Sequence, residues 1–477
     1  MSWLLSTSSF RDPASLQLGS SIRFMEDAGA AKLLTVEALE LAITHNEADL
    51  MAYKLRKQEL GEPLSSFCRG YEFSGSSAGR NIELIYQKAT AAGSKCGLAS
   101  AVQACFQSGT AVKHVLICSG FFVAHDRAGA PSPGLAAGSC ETDGPLGALA
   151  LLRAFASRGV LVSLFCDAHT GPVIAAGYAA MMDHFVQTDG QMAETLRQFS
   201  RCLPLVTDRP VLREDISALQ QLLLEAFPGA DGQLDSSPAR CARLVLNLKK
   251  SLQLAWGEGL CEIDCLFAIE RLGAPYRNIR GQDKSSQTEP IDCLWPLADL
   301  VLPAGLSAQA VAAATAYAAE NKIVASTVAV LRRAAGVTPD AVTLGIGDGG
   351  NEVGMGRVVL LESMADMRPD GDEFAAMSVN GCYRSCDHLI VATVSNWAGN
   401  AFELAAEVLL GPSARVPYLG RLALADLEQK LLKAIMASPF PSAVDGKYPE
   451  LPDSVDGMSF EACHRPLYDL LVELSRS

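Results

Sequence analysis

The sequence predicts an α/β fold of Rossmann-like form: a doubly wound, mostly parallel sheet with helices on both faces, plus a short helical appendage at the N-terminus. Two observations carry this reading. Five short runs are apolar at consecutive positions, as in strands covered on both faces and unlike strands with one wet side. The segments between them are longer and amphipathic and carry helix start and stop residues, which gives the βαβ alternation of parallel sheets.

Taken in order, residues 25–60 read as helical, with Thr35 near a start and apolar Leu39, Leu41, Ala42 and Leu50. Gly61-Glu-Pro63 and a Ser/Gly cluster at 74–79 then mark a boundary. We therefore divide the chain into an extension over 1–70 and an α/β domain over 75–475. The strand runs are 114–118, 160–166, 263–269, 342–344 and 389–394. Leu146 to Ser157 is continuous helix-forming sequence, with Asp143 as its expected N-cap, Pro145 in the first turn and Gly159 to end it in the left-handed conformation. The same grammar recurs at Ser395, Trp397 to Leu410, Gly411 and Pro412.

Doubly wound sheets bind ligands beyond the carboxyl ends of their strands. Polar motifs stand at those ends: Gly120-Phe121-Phe122, Asp167-Ala-His169, Glu270-Arg271, a glycine loop at 345–356, and Ser395-Asn396-Trp397.

Composition narrows the partner. A chain of 477 residues with 49% hydrophobic content fills a large core, and a formal charge of -14 opposes binding to nucleic acid or an anionic membrane. A small molecule is the expected partner, and a homo-oligomer is compatible with the sequence. Fourteen cysteines without framework-like clustering read as buried thiols of an intracellular protein. The Ala-rich stretch 305–331 is interrupted by Gln309, Glu320, Asn321 and Lys322, so a soluble protein is expected. The first 24 residues are Ser-rich with Arg11, Arg23 and Asp12, a faint transit-peptide pattern that leaves mitochondrial and cytoplasmic locations open.

The densest signal is Gly345-Ile-Gly-Asp-Gly-Gly-Asn-Glu-Val-Gly-Met-Gly356, with six glycines and two acids directly after an apolar run. Glycine is costly in regular structure, so this reads as backbone brought close to a ligand. It contains a G-x-G-x-x-G, but Gly354 and Gly356 would interrupt the following helix and the acids would repel a pyrophosphate, so a dinucleotide reading fails. Glu141-Thr-Asp143 sets two carboxylates before a helix, and Glu270-Arg271 ends a strand with a pair that needs partners near a core. The Cys261/Cys265 and Cys382/Cys386/His388 spacings suit buried thiols better than zinc ligands.

Four motifs in order, Glu141-Thr-Asp-Gly-Pro-Leu-Gly147, Ala268-Ile-Glu-Arg271, the glycine loop and Val394-Ser-Asn-Trp397, resemble the C-terminal domain family of D-glutamate cyclase, over roughly 75–475. The resemblance implies a hydro-lyase that converts D-glutamate to 5-oxo-D-proline and water, with a small acidic metabolite as partner. The family's full-length mitochondrial enzyme carries a further N-terminal domain that residues 1–70 do not resemble. Cyclisation needs a base for the α-ammonium, an acid for the departing oxygen, and donors for the α-carboxylate and developing oxyanion.

On this reading Glu270 or Glu352 is the base, Glu141 or Asp143 the acid, and Arg271 the carboxylate clamp. Asp348 completes the catalytic set, and Gly347, Gly349, Gly350, Asn351, Ser395 and Asn396 line the substrate. Alternatively Asp143, Asp348 and Glu352 hold Mg²⁺ or Mn²⁺. The competing functions are a regulatory module that binds a small acid without turnover and an enzyme acting on a nucleotide or phosphorylated ligand.

Overall fold

Among the described residues the strands in chain order are β1 His114–Gly120, β2 Phe122–Ala124, β3 Gly138–Glu141, β4 Leu161–Cys166, β5 Ser200–Pro204, β6 Ile263–Arg271, β7 Val337–Gly347, β8 His388–Val391, β9 Ala443–Val444, β10 Ser454–Val455 and β11 Met458–Ser459. The computed structural model describes residues 24–44, 86, 95–107, 112–124, 138–166, 170–204, 213–226, 237–260, 262–273, 291–296, 324–356, 382, 384–413, 423–438, 443–445 and 452–476. Six strands form one parallel sheet in the order β5-β4-β1-β6-β7-β8, while β2, β3 and β9 make a small sheet of their own.

The helices are α1 Phe24–Thr44, α2 Leu98–Phe106, α3 Pro145–Ala156, α4 Gly171–Thr188, α5 Gly190–Phe199, α6 Arg213–Ala226, α7 Ser237–Trp256, α8 Val324–Ala335, α9 Ser395–Leu410, α10 Leu424–Met436 and α11 Arg465–Arg476. The sheet separates two apolar cores, and alternate residues of one strand enter opposite ones. Val115 and Ile117 join the core under α1 to α5 and α9 to α11, whereas Leu116 and Cys118 join that under α6, α7 and α8. This two-sided burial explains why the strand runs have no polar alternation.

All five expected strands are present. The sixth, β5, went unread because Ser-Arg-Cys-Leu-Pro has no apolar run. It lies at the sheet edge, where a terminal proline removes no needed ladder bond. Strand order reverses between β1 and β6, the topological switch point at which such sheets open a crevice.

The N-terminal helix is integral to one core. Val36, Leu39, Ala42 and Ile43 are buried at helical spacing, the Ile43 carbonyl accepts from the Thr393 amide at 2.9 Å, and Glu40 Oε2 accepts from the first amide of α2, that of Leu98, at 2.9 Å. Thr35, expected near the start, lies inside this helix, which begins eleven residues earlier at Phe24. The stretch 45–60, also read as helical, falls outside the described residues, as does most of the Ala-rich segment 305–331. Among the described residues no helix is long and apolar enough to cross a membrane.

Helices α3 and α9 pack closely, glycine to glycine. A Cβ on Gly399 would fall 2.4 Å from the carbonyl oxygen of Gly147, and one on Gly147 would fall 2.9 Å from the Cα of Asn396. Further along, the fully buried Arg153 of α3 donates to Glu403 Oε2 at 2.8 Å and Asn400 Oδ1 at 3.0 Å on α9, and to Glu428 Oε1 at 3.2 Å on α10. A buried guanidinium with these partners fixes the register of three helices. Because the Gly399 contact is backbone against backbone, Gly399→Ala is expected to destabilise the fold by about 1–3 kcal/mol through overpacking. Urea denaturation of the variant beside wild type checks this.

Candidate active site

At the carboxyl ends of β1 and β6 the helix N-termini are tied together by their own side chains. The N-cap of α3 is Gly144, at φ 97°, and no side chain caps it from its own position, which corrects the expected role of Asp143. Asp143 instead reaches α9: Oδ2 accepts from the Ser395 amide at 2.9 Å, and Oδ1 from the Asn396 amide at 2.8 Å and the Gly144 amide at 2.9 Å. Asn396 returns the arrangement, its Oδ1 accepting from Gly144 at 3.0 Å and Gly147 at 2.8 Å while its Nδ2 donates to the Thr142 carbonyl at 3.0 Å. Each helix is thus capped by the segment preceding or opening the other, which satisfies amides that have no partner within the helix.

Glu270 enters this corner through a bulge. Ser119 pairs with Ile269 but Gly120 pairs with Arg271, so Glu270 is the extra residue, and its φ of 42° is the left-handed value that a bulge imposes. Its Oε2 accepts from Ser395 Oγ at 2.6 Å, and its Cβ would sit 2.6 Å from a Cβ on Gly144, which is why a glycine is required there. Arg271, fully buried, donates from Nη1 to the Gly120 carbonyl at 3.3 Å. Ser119, also fully buried, turns its hydroxyl to the same Gly144 position, and that oxygen has no hydrogen-bond partner among the described residues.

The glycine loop supplies Asp348 and Glu352, both buried. Its glycines serve the loop itself first. Cβ atoms on Gly345 and Gly347 would fall 2.9 Å from the Val353 carbonyl and 2.4 Å from Met355 Sδ, so the loop folds back on its own strand there. The Gly350 amide donates to Glu352 Oε2 at 2.9 Å and the Gly349 amide to both oxygens at 3.2 Å, so in this conformation they anchor Glu352. Asn351, half-buried, holds Gly273 through its backbone carbonyl at 3.0 Å.

Three carboxylates converge. Asp143, Glu270 and Asp348 each offer an oxygen within 4.8 Å of the others. This differs from the expected trio in having Glu270 where Glu352 was expected. Burial, followed by the charges of Asp348, Glu352, Asp143 and Glu141, holds the Glu270 carboxyl well above the ordinary range. Asp143 is pushed up to about 7 by burial and by Asp456, against the lowering effect of its three amide donors. Glu141, from β3, lies in the same field and is buried.

Residues that sequence reading passed over complete the surroundings. The Thr142 amide donates to the Val444 carbonyl at 2.9 Å and its hydroxyl to the Ser454 carbonyl at 3.0 Å, which brings the turn carrying Asp456 against Asp143. Asp445 accepts from the Gly457 amide at 2.7 Å and steadies that turn. An Asp-Gly pair at 456–457 is a turn signal, but nothing local ties it to residue 143. One motif expected beside the site, 167–169, falls outside the described residues. A separate open cavity of about 890 Å³ lies at the amino ends of β1 and β4, lined by Lys113, Arg158, Arg201 and Trp256 among others. It is remote from the carboxylates and on the wrong edge for ligand binding in such sheets, so the candidate site is the carboxylate corner.

His464 buttresses this corner. Its Nδ1 faces the indole N–H of Trp397 at 2.8 Å, and an indole can only donate, so Nε2 carries the ring proton and faces the carbonyls of Val455 and Met458 at 3.2 Å. Burial pushes its pKa down to about 4. The unfolded chain takes up this proton near pH 6.5, so His464 makes the fold lose stability as pH falls from about 6.5 towards 4, by about 1.4 kcal/mol per unit. Nitrogen-15 NMR is expected to show a neutral Nε2–H ring down to about pH 5.

The chain matches the sequence model of the family described as D-glutamate cyclase-like, C-terminal, over residues 77–311 and 314–472. It is also 29% identical over 153 residues to human D-glutamate cyclase, mitochondrial, a stretch covering 29% of this chain and 23% of the human protein. The chain therefore spans less than a quarter of that relative's length in the match. With most of its length matched by the family's model, the chain belongs to the D-glutamate cyclase-like C-terminal family.

Proposed function

We propose that this protein is a D-glutamate cyclase-type hydro-lyase, interconverting D-glutamate and 5-oxo-D-proline plus water at the corner formed by Asp143, Glu270 and Asp348. The observation that carries the reading is the convergence of these buried carboxylates at the switch point of a parallel sheet, in a chain of this family. A phosphorylated or nucleotide ligand is the poorer fit, since Glu141 and Glu352 add to the negative field that would repel phosphate.

In the reaction the amino nitrogen bonds the γ-carbon, one C–O bond breaks, and two protons move from nitrogen to the departing oxygen, which leaves as water. A carboxylate can carry these protons in turn, as base and then as acid. We assign this carrier role to Glu141, which lies in the field of the cluster without belonging to the converging trio. Glu352 is less suited, because its oxygens are held by the Gly349 and Gly350 amides. Arg271 is assigned to the substrate's α-carboxylate, for which a guanidinium offers paired donors. Ser395 and Asn396 act by holding Glu270 and Asp143 in position.

NMR of the purified protein with D-glutamate or with 5-oxo-D-proline tests this. Wild type is expected to interconvert them, and Glu141→Gln and Asp348→Asn to do so about 100-fold more slowly or less. A folded wild type that converts neither compound but binds one would overturn the enzyme and leave a small-acid-binding module.

A further inference from the structure

The carboxylate corner brings buried acids from separate segments to one point. Asp143 takes three backbone amides and Glu270 one hydroxyl, yet both remain within reach of Asp348 and in the field of Glu141, Glu352 or Asp456. Bringing several carboxylates out of water and together is costly unless a cation joins them. The three oxygens come from different segments, after β3, at the end of β6 and after β7, so the tertiary fold and not a local turn assembles them.

A second observation is independent of the acids. The Ser119 hydroxyl is fully buried and has no hydrogen-bond partner among the described residues. It points at the Gly144 position, lying 3.0 Å from where a Cβ would stand there, a point only 2.6 Å from Glu270 Cβ. Gly144 directly follows Asp143, so an orphan oxygen donor opens onto the corner the acids enclose. A buried hydroxyl left without a partner is unusual and calls for a ligand.

We propose that Asp143, Glu270 and Asp348, with the Ser119 hydroxyl beside them, form a divalent-cation site for Mg²⁺ or Mn²⁺. The donor set is all oxygen, the choice of hard cations, with no imidazole or thiolate in the trio. Spacing agrees: an ion with oxygens at about 2.1–2.4 Å sets opposite ligands about 4.2–4.8 Å apart, and the three acids offer oxygens within 4.8 Å. Asp143 keeps its amide bonds while ligating through Oδ2, which accepts from a single amide and so has a second lone pair. The role of the ion rests on the cyclase reading: a bound cation would draw electron density from the γ-carboxylate and ease loss of its oxygen. The existence of the site does not rest on that reading.

Chelator-treated protein, with the whole 477-residue chain, titrated with MnCl₂ and with free Mn²⁺ followed by electron paramagnetic resonance, is the test. One ion per chain is expected, competed by Mg²⁺, with a rise in melting temperature on binding. Asp348→Asn and Glu270→Gln should weaken binding at least 10-fold, and the exposed Glu194→Gln should not. Circular dichroism checks that each variant folds; where an acid substitution does not, Ser119→Ala, which removes one hydroxyl, should weaken binding severalfold. Folded wild type without stoichiometric Mn²⁺, or binding indifferent to every substitution in the corner, overturns the site. Turnover that survives complete metal removal overturns the ion's role and leaves the cyclase, whereas ion binding without turnover keeps the site and overturns the cyclase.

Discussion

The fold depends on one exchange of hydrogen bonds, in which Asp143 accepts from the first amides of α9 and Asn396 accepts from those of α3. Two helix N-termini meet inside the protein, where water cannot satisfy their amides and an unpartnered one costs about 1–3 kcal/mol. The exchange meets that demand with two side chains and joins the segments after β3 and β8 across the sheet. It also requires close helices, which Gly147 and Gly399 permit, and a side-chain-free Gly144, which lets Glu270 pass. Lengthening any of these contacts would move the carboxylates apart.

That corner departs from what stability alone favours. Glu270 has a left-handed backbone and a buried carboxyl among other carboxylates, two features that each cost free energy. Proteins retain such departures where chemistry needs them, and here they lie at the switch point of the sheet, beside buried Arg271. Further along the same helices, the Arg153 network brings two carboxylates to one guanidinium. The corner brings oxygens of three acids within 4.8 Å of one another, in a chain of the D-glutamate cyclase-like C-terminal family.

Much of the site was legible residue by residue. Glu141, Asp143, Glu270, Asp348, Ser395 and Asn396 stand at strand ends or helix starts, and strand and helix punctuation locates those from local sequence. Their roles were less legible. Asp143 reads locally as the cap of the helix it precedes, because sequence gives no sign that another helix N-terminus lies nearer its carboxylate. Glu352 reads as a partner of Asp348 from proximity in the chain, yet the fold-back of the loop points it at its own amides while Glu270 arrives from β6. Ser119 and Asp456 gave no signal, since a strand serine and a turn aspartate are ordinary until something is packed against them.

The sequence by itself determined the alternation of buried strands and helices, the two-sided sheet and the sites where polar residues follow strands, because these follow from periodicity and from local turn and cap chemistry. Tertiary structure alone decided the sheet order, the bulge at Glu270, the exchange of caps between α3 and α9 and the trio of converging carboxylates. Each of these joins residues that lie in separate segments of the chain, and distance in the chain carries no information about which buried group will answer another.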